Sequence, residues 1–384
     1  MKSEPVKFGI VGCGGITNAY HIPRELVPLL IQEKKAELVA VCDSIEERAR
    51  LTKERWHAKS FFTDFDEMLE KADIDAVIIA TSMNTHASLA IKSAKAGKHF
   101  FVQKPMATSM KDANAVVEET RKAQVRPDTP LSTVYRKSCE IIKEGHIGRP
   151  LWFQSGFGRD APDWGAETFF SKEAGGALFD LGVYSIAPVT FILGPAKRVV
   201  GLATISIPNR SLMPKDIYTK NLTDYLKGGQ YRVWDPSLPH EDVKIGAEDN
   251  TFTLLDMGNG CLGLIISNFI MPHGLRRLIP EASLEVYGEQ GGLIVGGVAG
   301  SSLSVLSLIK ESKYRILYDE SANSWYHFGT MPPGINQLVH FVDCIVNDKD
   351  PLPNVEWGRH MSEIMIKSIE SARTGKALNL ESTF

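Results

Sequence analysis

The sequence predicts an α/β domain built on a doubly wound parallel sheet, followed by an α+β domain with a large, mostly antiparallel sheet. Three observations predict it. Val6-Lys7-Phe8-Gly9-Ile10-Val11 is an apolar run that enters the glycine turn Gly12-Cys13-Gly14-Gly15, and the turn opens a helix. The first third of the chain then alternates strand and helix, the signature of a parallel sheet covered on both faces. From residue 198 onward strand signals dominate, and runs of strands after βα units point to a separate α+β domain.

In the first domain, strands are expected at 6–12, 37–43, 59–63, 75–81 and 99–104. Residues 75–80 and 99–102 are continuous apolar runs rather than alternating ones, as in parallel strands buried on both faces. Phe65, Met68, Leu69 and Ala72 fall at helical spacing between strands. A helix over 86–96 ends at Gly97, a residue free to close a helix in the left-handed conformation. After a helix over 109–123 no further strand is visible. Ala123-Gln124-Val125 passes directly into Arg126-Pro127-Asp128-Thr129-Pro130, and the boundary is placed there, giving domains 1–125 and 126–384.

The second domain reads as helices at 130–144 and 176–193, then strands at 198–207, 250–257, 261–269, 283–287, 301–309 and 313–318. Gly258-Asn259-Gly260 is a hairpin turn between two of these strands. The stretch 208–249 is polar and carries Pro208, Pro214, Gly228-Gly229, Pro236 and Pro239. It reads as a long loop or insertion, and loops of that length are often functional. Residues 335–373 return to helix, with Leu338, Phe341, Val342 and Ile345 on one face, and are expected to pack near the first domain.

Composition narrows the function. The chain has 384 residues, 43% hydrophobic and 23% charged, with a net charge of −3. That balance argues against a nucleic-acid partner, which favours a basic surface. No apolar run approaches the roughly 18 residues of a membrane span. The start, Met1-Lys2-Ser3-Glu4-Pro5-Val6-Lys7, has no apolar signal region, so a cytoplasmic location is expected. Cys13, Cys42, Cys139, Cys261 and Cys344 form no C-x-x-C pair, so neither a metal site nor a disulfide framework is predicted.

The glycine turn carries the first functional reading. Gly12 and Gly14 permit a tight turn, and Gly15 and Ile16 open the helix whose N-terminus can meet a pyrophosphate. Thr17 replaces the third glycine of the usual fingerprint. Asp43, 28 residues after Gly15, ends the second strand and can accept hydrogen bonds from ribose hydroxyls. A Rossmann dinucleotide site is therefore predicted. The Asp43 carboxylate favours NAD over NADP, although Ser44 and Arg48 leave room for a 2′-phosphate.

Chemistry should sit at the ends of later strands. Gln103-Lys104-Pro105 ends the fifth strand, and that position aims the Lys104 ammonium into the cleft; the bland alternative is a surface lysine beside a proline. In Gly175-Gly176-Ala177-Leu178-Phe179-Asp180-Leu181-Gly182-Val183-Tyr184, Asp180 and Tyr184 share one helix face. A tyrosine can move a hydroxyl proton when a nearby lysine lowers its pKa from about 10. The alternative is a capping aspartate and a tyrosine at a domain interface.

Taken in order, these segments, with Leu38–Asp43, Asp75–Thr81 and Ala96-Gly97-Lys98-His99, span nearly the whole chain. In this the chain resembles the glucose–fructose oxidoreductase/inositol dehydrogenase/rhizopine catabolism (Gfo/Idh/MocA) family of NAD(P)-dependent oxidoreductases. The resemblance implies a C-terminal open-faced sheet that makes homodimers or homotetramers, and sugar, cyclitol or related polyol substrates. It also implies that Lys104, Asp180 and Tyr184 are catalytic, with Tyr184 standing where many members have histidine. Thr81-Ser82-Met83-Asn84-Thr85-His86 matches a cofactor-lining segment, which makes Thr81, Asn84 and His86 cofactor-side residues together with Gln103 and Lys104. His86 reads as a cofactor-side or helix-start residue.

Gln103 departs from the family's glutamate, and Ser82 and Met83 depart from Pro-Asn. The expected activity is hydride transfer between nicotinamide and a polyol. The alternatives are a non-catalytic cofactor-binding regulator and an NAD-dependent glycoside hydrolase. The aromatics of 208–249, Tyr218, Tyr225, Tyr231, Trp234 and His240, suit a substrate lid, a subunit contact or a plain surface insertion.

Overall fold

The computed structural model describes residues 4–123, 127–128, 133–230, 232, 235, 237–271, 283–296, 302–313, 326–330 and 337–384. The first domain runs β1 (Val6–Val11), α1 (Thr17–Ile31), β2 (Ala36–Cys42), α2 (Glu46–Trp56), β3 (Ser60–Phe62), α3 (Phe65–Lys71), β4 (Ala76–Ile79), α4 (His86–Lys95), β5 (His99–Val102), α5 (Met110–Ala123) and β6 (Pro127–Asp128). Its strands form one parallel sheet in the order β3-β2-β1-β4-β5-β6. Successive side chains of a strand point to opposite faces. Val11, Val77, Ile79, Phe100 and Val102 accordingly join one buried cluster, while Phe8, Ile10, Ile78 and Phe101 join another. Burial on both faces is why these strands read as unbroken apolar runs. The helix α1 is wound as a π-helix and holds Pro23 and Pro28.

One expectation for this domain is corrected. A strand does follow α5: Pro127–Asp128 pairs with Phe100–Phe101 of β5 as the sixth, edge strand. Two residues are too few to give an apolar run, and an edge position tolerates proline.

The second domain contains α6 (Thr133–Lys143), β7 (Pro150–Gly158), a π-turn at Leu178–Gly182 that continues into α7 (Val183–Leu193), and β8 (Arg198–Thr204). It continues with β9 (Asn209–Leu212), α8 (Lys215–Leu226), β10 (Glu241–Lys244), β11 (Asn250–Asp256), β12 (Leu262–Asn268), β13 (Ser283–Gly288), β14 (Gly291–Gly296), β15 (Ser302–Ser307) and β16 (Tyr326–Thr330). The helices α9 (Gln337–Val346) and α10 (Val355–Thr374) and the short strand β17 (Leu378–Asn379) end the chain.

Among the described residues, nine strands form one sheet, ordered β16-β15-β14-β13-β7-β12-β11-β8-β17, antiparallel except where β7 runs parallel to β12. Strands β7 and β14 are not visible in the sequence. Gln154, Gly156 and Gly158 in one, and Gly291, Gly292 and Gly296 in the other, have low strand preference, and the sheet itself holds them. In the turn between β11 and β12, Gly258 and Gly260 take positive φ, and Asp256 Oδ1 accepts the Gly258 N–H at 2.8 Å. Of the expected strand 313–318, residues 314–318 lie outside the described residues.

The helical stretch at the C-terminal end is two helices, because Asp348 (φ +53°) and the prolines after it stop α9. The apolar face of α9 packs on the first sheet, with the Phe341 ring 6.3 Å from Phe8 and 6.0 Å from Phe101.

The stretch 208–249 is not simply a loop. Strands β9 and β10 pair antiparallel, and α8 docks on α2 of the first domain, where Leu222 and Leu226 cover Leu51. Arg55 donates to the carbonyls of Tyr225 (2.7 Å) and Leu226 (3.4 Å), and its guanidinium lies 4.4 Å from the Tyr225 ring centre. The Tyr225 hydroxyl donates to the Asn18 carbonyl at 3.3 Å. The segment reads as polar because only a small patch of α8 is buried. Tyr218 stacks on Trp164 with 4.7 Å between ring centres. Tyr231 and Trp234 lie outside the described residues.

Candidate active site

The site begins where β1 ends. Gly12 has φ +95°, and a Cβ there would lie 2.3 Å from the Ala80 carbonyl oxygen, so only glycine lets β1 turn so close to β4. Thr17, in place of the third fingerprint glycine, donates its hydroxyl to the Gly12 carbonyl at 2.5 Å. Asn18 donates to the Cys13 carbonyl at 3.0 Å and to Thr52 Oγ1 at 3.1 Å, tying the turn to α2. The first bond of α1 is Asn18 N–H to Gly14 C=O at 3.1 Å. The amides of Gly14, Gly15 and Ile16 therefore precede any intrahelical partner. A Cβ on Gly14 would meet no atom within 4 Å, and Ile16 is 49% exposed. Open space facing unfilled N–H groups at a helix start fits a pyrophosphate.

Asp43 is buried at the end of β2. Its Oδ2 accepts the Cys13 N–H at 2.9 Å; its Oδ1 accepts the Ile45 N–H and Arg48 Nη2, each at 2.9 Å. Asp43 thus fastens β2 to the glycine turn. A carboxylate has about four acceptor directions, so one remains for a ribose hydroxyl. Arg48 is committed to Asp43, and its Nε is buried without a partner. Burial, with the Asp43 charge, pushes the Cys42 thiol up to about 12 and Cys13 higher still, so both are inert fillers.

Across the cleft, Lys104 follows β5. Its ammonium donates to the Asp180 carbonyl and to Asp180 Oδ1, both at 2.8 Å, and lies 4.5 Å from the centre of the Tyr184 ring. Burial pulls the lysine down, but Asp180 and Tyr184 outweigh it and hold the ammonium above the ordinary lysine range. Asp180 sits in the π-turn before α7, and Tyr184 in the first turn of α7. Gly176 precedes them at φ +67°, where a Cβ would strike the Glu248 carbonyl at 2.2 Å. Tyr184 is 42% exposed, with its ring against Phe157 of β7 at 5.8 Å.

The remaining predicted residues divide. Thr81 shares a hydrogen bond with Thr85 at 2.7 Å, and Asn84 is exposed at the same turn. His86 starts α4. It is buried, with Nδ1 2.7 Å from the Pro105 carbonyl and Nε2 3.1 Å from the Thr81 carbonyl. Its place is between the two loops that frame the site. Burial lowers its pKa, against hydrogen bonds that raise it.

Gln103 donates from Nε2 to His21 Nε2 at 2.6 Å, and His21 Nδ1 bonds Glu25 Oε2 at 2.6 Å. Tyr20, His21 and Glu25 are unforeseen. The i,i+4 spacing of His21 and Glu25 is readable, but nothing in the sequence links them to Gln103. Among the described residues no cluster of His, Cys, Asp and Glu is arranged to hold a metal. No described helix is long and apolar enough to cross a membrane.

Gly12, Asp43, Thr81 and Lys104 all lie just beyond the carboxyl ends of parallel strands, where open α/β sheets bind their ligands. A glycine turn beyond the end of one parallel strand and a lysine–aspartate–tyrosine cluster beyond the end of another are features of a dinucleotide-dependent oxidoreductase. Residues 6–127 match the oxidoreductase family with an NAD-binding Rossmann fold, GFO/IDH/MocA, and residues 135–294 match the GFO/IDH/MocA C-terminal domain. The chain belongs to the GFO/IDH/MocA family, and its first domain is an NAD-binding Rossmann domain.

It is 25% identical over 380 residues to scyllo-inositol 2-dehydrogenase (NAD(+)) of Bacillus subtilis, covering 98% of this chain and 96% of that protein. It is 28% identical over 317 residues to myo-inositol 2-dehydrogenase of Thermotoga maritima, covering 82% of each. Levoglucosan dehydrogenase, solved with NADH and levoglucosan, shares the fold: TM-score 0.77, 19% identity, 99% of this chain and 100% of that one.

Proposed function

We propose that the protein is an NAD-dependent dehydrogenase of a sugar, cyclitol or related polyol, with Lys104, Asp180 and Tyr184 as its catalytic residues. The observation that carries this reading is the Lys104 ammonium, held by Asp180 at 2.8 Å and set against the ring of an exposed tyrosine. NAD, when bound, supplies the hydride acceptor. Tyr184 hands on the proton that leaves the carbinol oxygen, and Lys104 stabilises the negative charge developing on that oxygen. Asp180 fixes the lysine, so the ammonium is oriented before substrate arrives.

Gly12, Gly14, Gly15 and Ile16 would hold the pyrophosphate. Asp43 would take a ribose hydroxyl through its remaining acceptor direction, and Thr81, Asn84, Gln103 and Lys104 would line the rest of the cofactor. The pairing of Arg48 with Asp43 favours NAD over NADP, since it leaves that guanidinium committed elsewhere. An intact charged cluster beside the cofactor turn supports turnover over a purely regulatory role. The inositol and levoglucosan dehydrogenases among the relatives support the substrate class.

The test is a panel of sugars and cyclitols with NAD, followed by NADH absorbance, with Tyr184→Phe beside the wild type. At least one polyol should be oxidised, and the variant should lose about 10²-fold or more in turnover. A full panel without turnover, or an unaffected variant, would falsify the reading.

A homo-oligomer formed through the C-terminal sheet belongs to the same reading. One face of that sheet exposes Leu202 (68%), Leu262 (55%), Leu254 (49%) and Phe252 (40%), with Leu254 paired to Leu264 and Phe252 to Leu202. A contiguous apolar patch of this kind marks an interaction surface. Leu254→Glu with Leu262→Glu should convert the oligomer to monomer in light scattering; a monomeric wild type would remove the idea. Cys13, Cys42, Cys139, Cys261 and Cys344 are all buried thiols, and we read the protein as cytoplasmic.

A further inference from the structure

Gln103 departs from the glutamate of the family pattern, yet a carboxylate is still connected to it. The chain Glu25–His21–Gln103 has 2.6 Å at each link. It is shielded: His21 is 3% exposed and the Glu25 side chain 12%. The Tyr20 ring meets His21 edge-on at 5.4 Å and Phe101 meets it at 6.4 Å, so aromatic rings flank the imidazole.

The chemistry of the three groups fixes a direction. The Glu25 carboxylate only accepts, so the imidazole donates to it from Nδ1. The Gln103 amide nitrogen faces Nε2 at 2.6 Å and can only donate, so Nε2 meets it with a lone pair. The Gln103 Oε1 is left as the outward end of the amide, on the residue preceding Lys104. A glutamate needs no such device, because both its ends are oxygens. A glutamine does, because a flipped amide offers a donor where an acceptor is required.

We propose that Glu25 and His21 are positioning residues that lock the Gln103 amide with its carbonyl oxygen outward, as acceptor for a hydroxyl of the bound cofactor or substrate. This rests on the dehydrogenase reading above for its consequence, but not for its geometry. Glu25→Gln keeps the shape of the chain and removes the direction, since glutamine can face His21 with either end.

Two measurements test it. The first is 15N NMR of histidine-labelled protein, with the His21 signal assigned by substitution. The wild type should show a proton on Nδ1 and a lone pair on Nε2, and Glu25→Gln should show both tautomers. A wild-type proton on Nε2 overturns the proposal, and this readout needs no turnover. The second is a double-mutant cycle. Glu25→Gln should lower kcat/KM about tenfold in the natural background. In a Gln103→Glu background, whose carboxylate is an acceptor either way, the same change should cost less than about twofold. A merely structural Glu25 would cost the same in both, and that result overturns the proposal. A loss seen in NADH affinity assigns the hydroxyl to the cofactor; a loss in the polyol KM assigns it to the substrate. If no polyol is oxidised the dehydrogenase reading fails, while the tautomer and the NADH titration still decide the relay.

Discussion

The two halves of the cleft are built from different materials. The half proposed to hold the cofactor is mostly backbone within one domain: the turn at Gly12–Ile16, its amide N–H groups, and Asp43 fastening the turn through Cys13 N–H. The half proposed for the chemistry is side chains from two domains, Lys104 from the first and Asp180 and Tyr184 from the second. A backbone site forms whenever its own sheet folds. The lysine–aspartate pair forms only when the domains meet. Among the described residues, contacts that bring them together include α9 on the first sheet, α10 against α5, and α8 on α2. Cofactor binding should therefore survive changes that abolish chemistry.

The largest expected effect tests that separation. Lys104→Met removes the charge proposed to face the substrate oxygen, and turnover should fall about 10³-fold. NADH affinity, read by fluorescence titration, should fall far less. The change also leaves the part-buried Asp180 carboxylate unpaired, which should lower unfolding stability by about 2–3 kcal/mol in urea. Equal losses in turnover and NADH affinity would mean that the halves act as one. Within the cofactor half, two glycines should behave differently. Gly12→Ala forces a Cβ against the Ala80 carbonyl at positive φ and should cost about 3 kcal/mol of stability. Gly14→Ala meets nothing in the protein, so stability should stay within about 0.5 kcal/mol while NADH binding weakens about tenfold. A destabilised Gly14→Ala would show that its space is not a ligand's.

The same division explains what the sequence could tell. The glycine turn is local, and its spacing states its geometry directly. Lys104 and Asp180 are 76 residues apart, and no periodicity relates them; each alone has an ordinary reading as a surface or capping residue. Only the ordered set of family segments singles them out. His21 and Gln103 lie 82 residues apart and belong to no such pattern, so their contact stays hidden until the sheet brings α1 beside the end of β5. The polar stretch around α8 misleads for a related reason. Its burial is against Leu51 and Arg55 of another domain, so too few apolar residues reveal a helix. His86, expected on the cofactor side or at a helix start, does start α4, and packing turns its ring inward onto two carbonyls, a contact no spacing in the sequence states.

That inward ring offers the mildest test of how the halves are joined. His86 bridges the Thr81 loop of the cofactor half and the Pro105 loop of the chemical half, and burial is the first cause of its lowered pKa. A histidine whose folded pKa lies below its unfolded value of about 6.5 stabilises the fold fully above that pH. As pH falls below it, the unfolded chain takes up a proton that the folded chain refuses, and stability drops. His360 contributes in the same direction. Burial lowers it to about 4, with Nε2 accepting the Ala196 N–H at 3.0 Å, so it adds to the wild-type slope between about pH 6.5 and 4. His340, also lowered by burial, adds to that background. The contribution of His86 is therefore read as a difference. Urea unfolding of the wild type and His86→Asn at pH 7 and pH 5 should show a shallower loss in the variant, with His360 unchanged in both. Parallel losses would mean that His86 joins the loops by packing alone, and that the two halves are coupled through the sheet rather than through the imidazole.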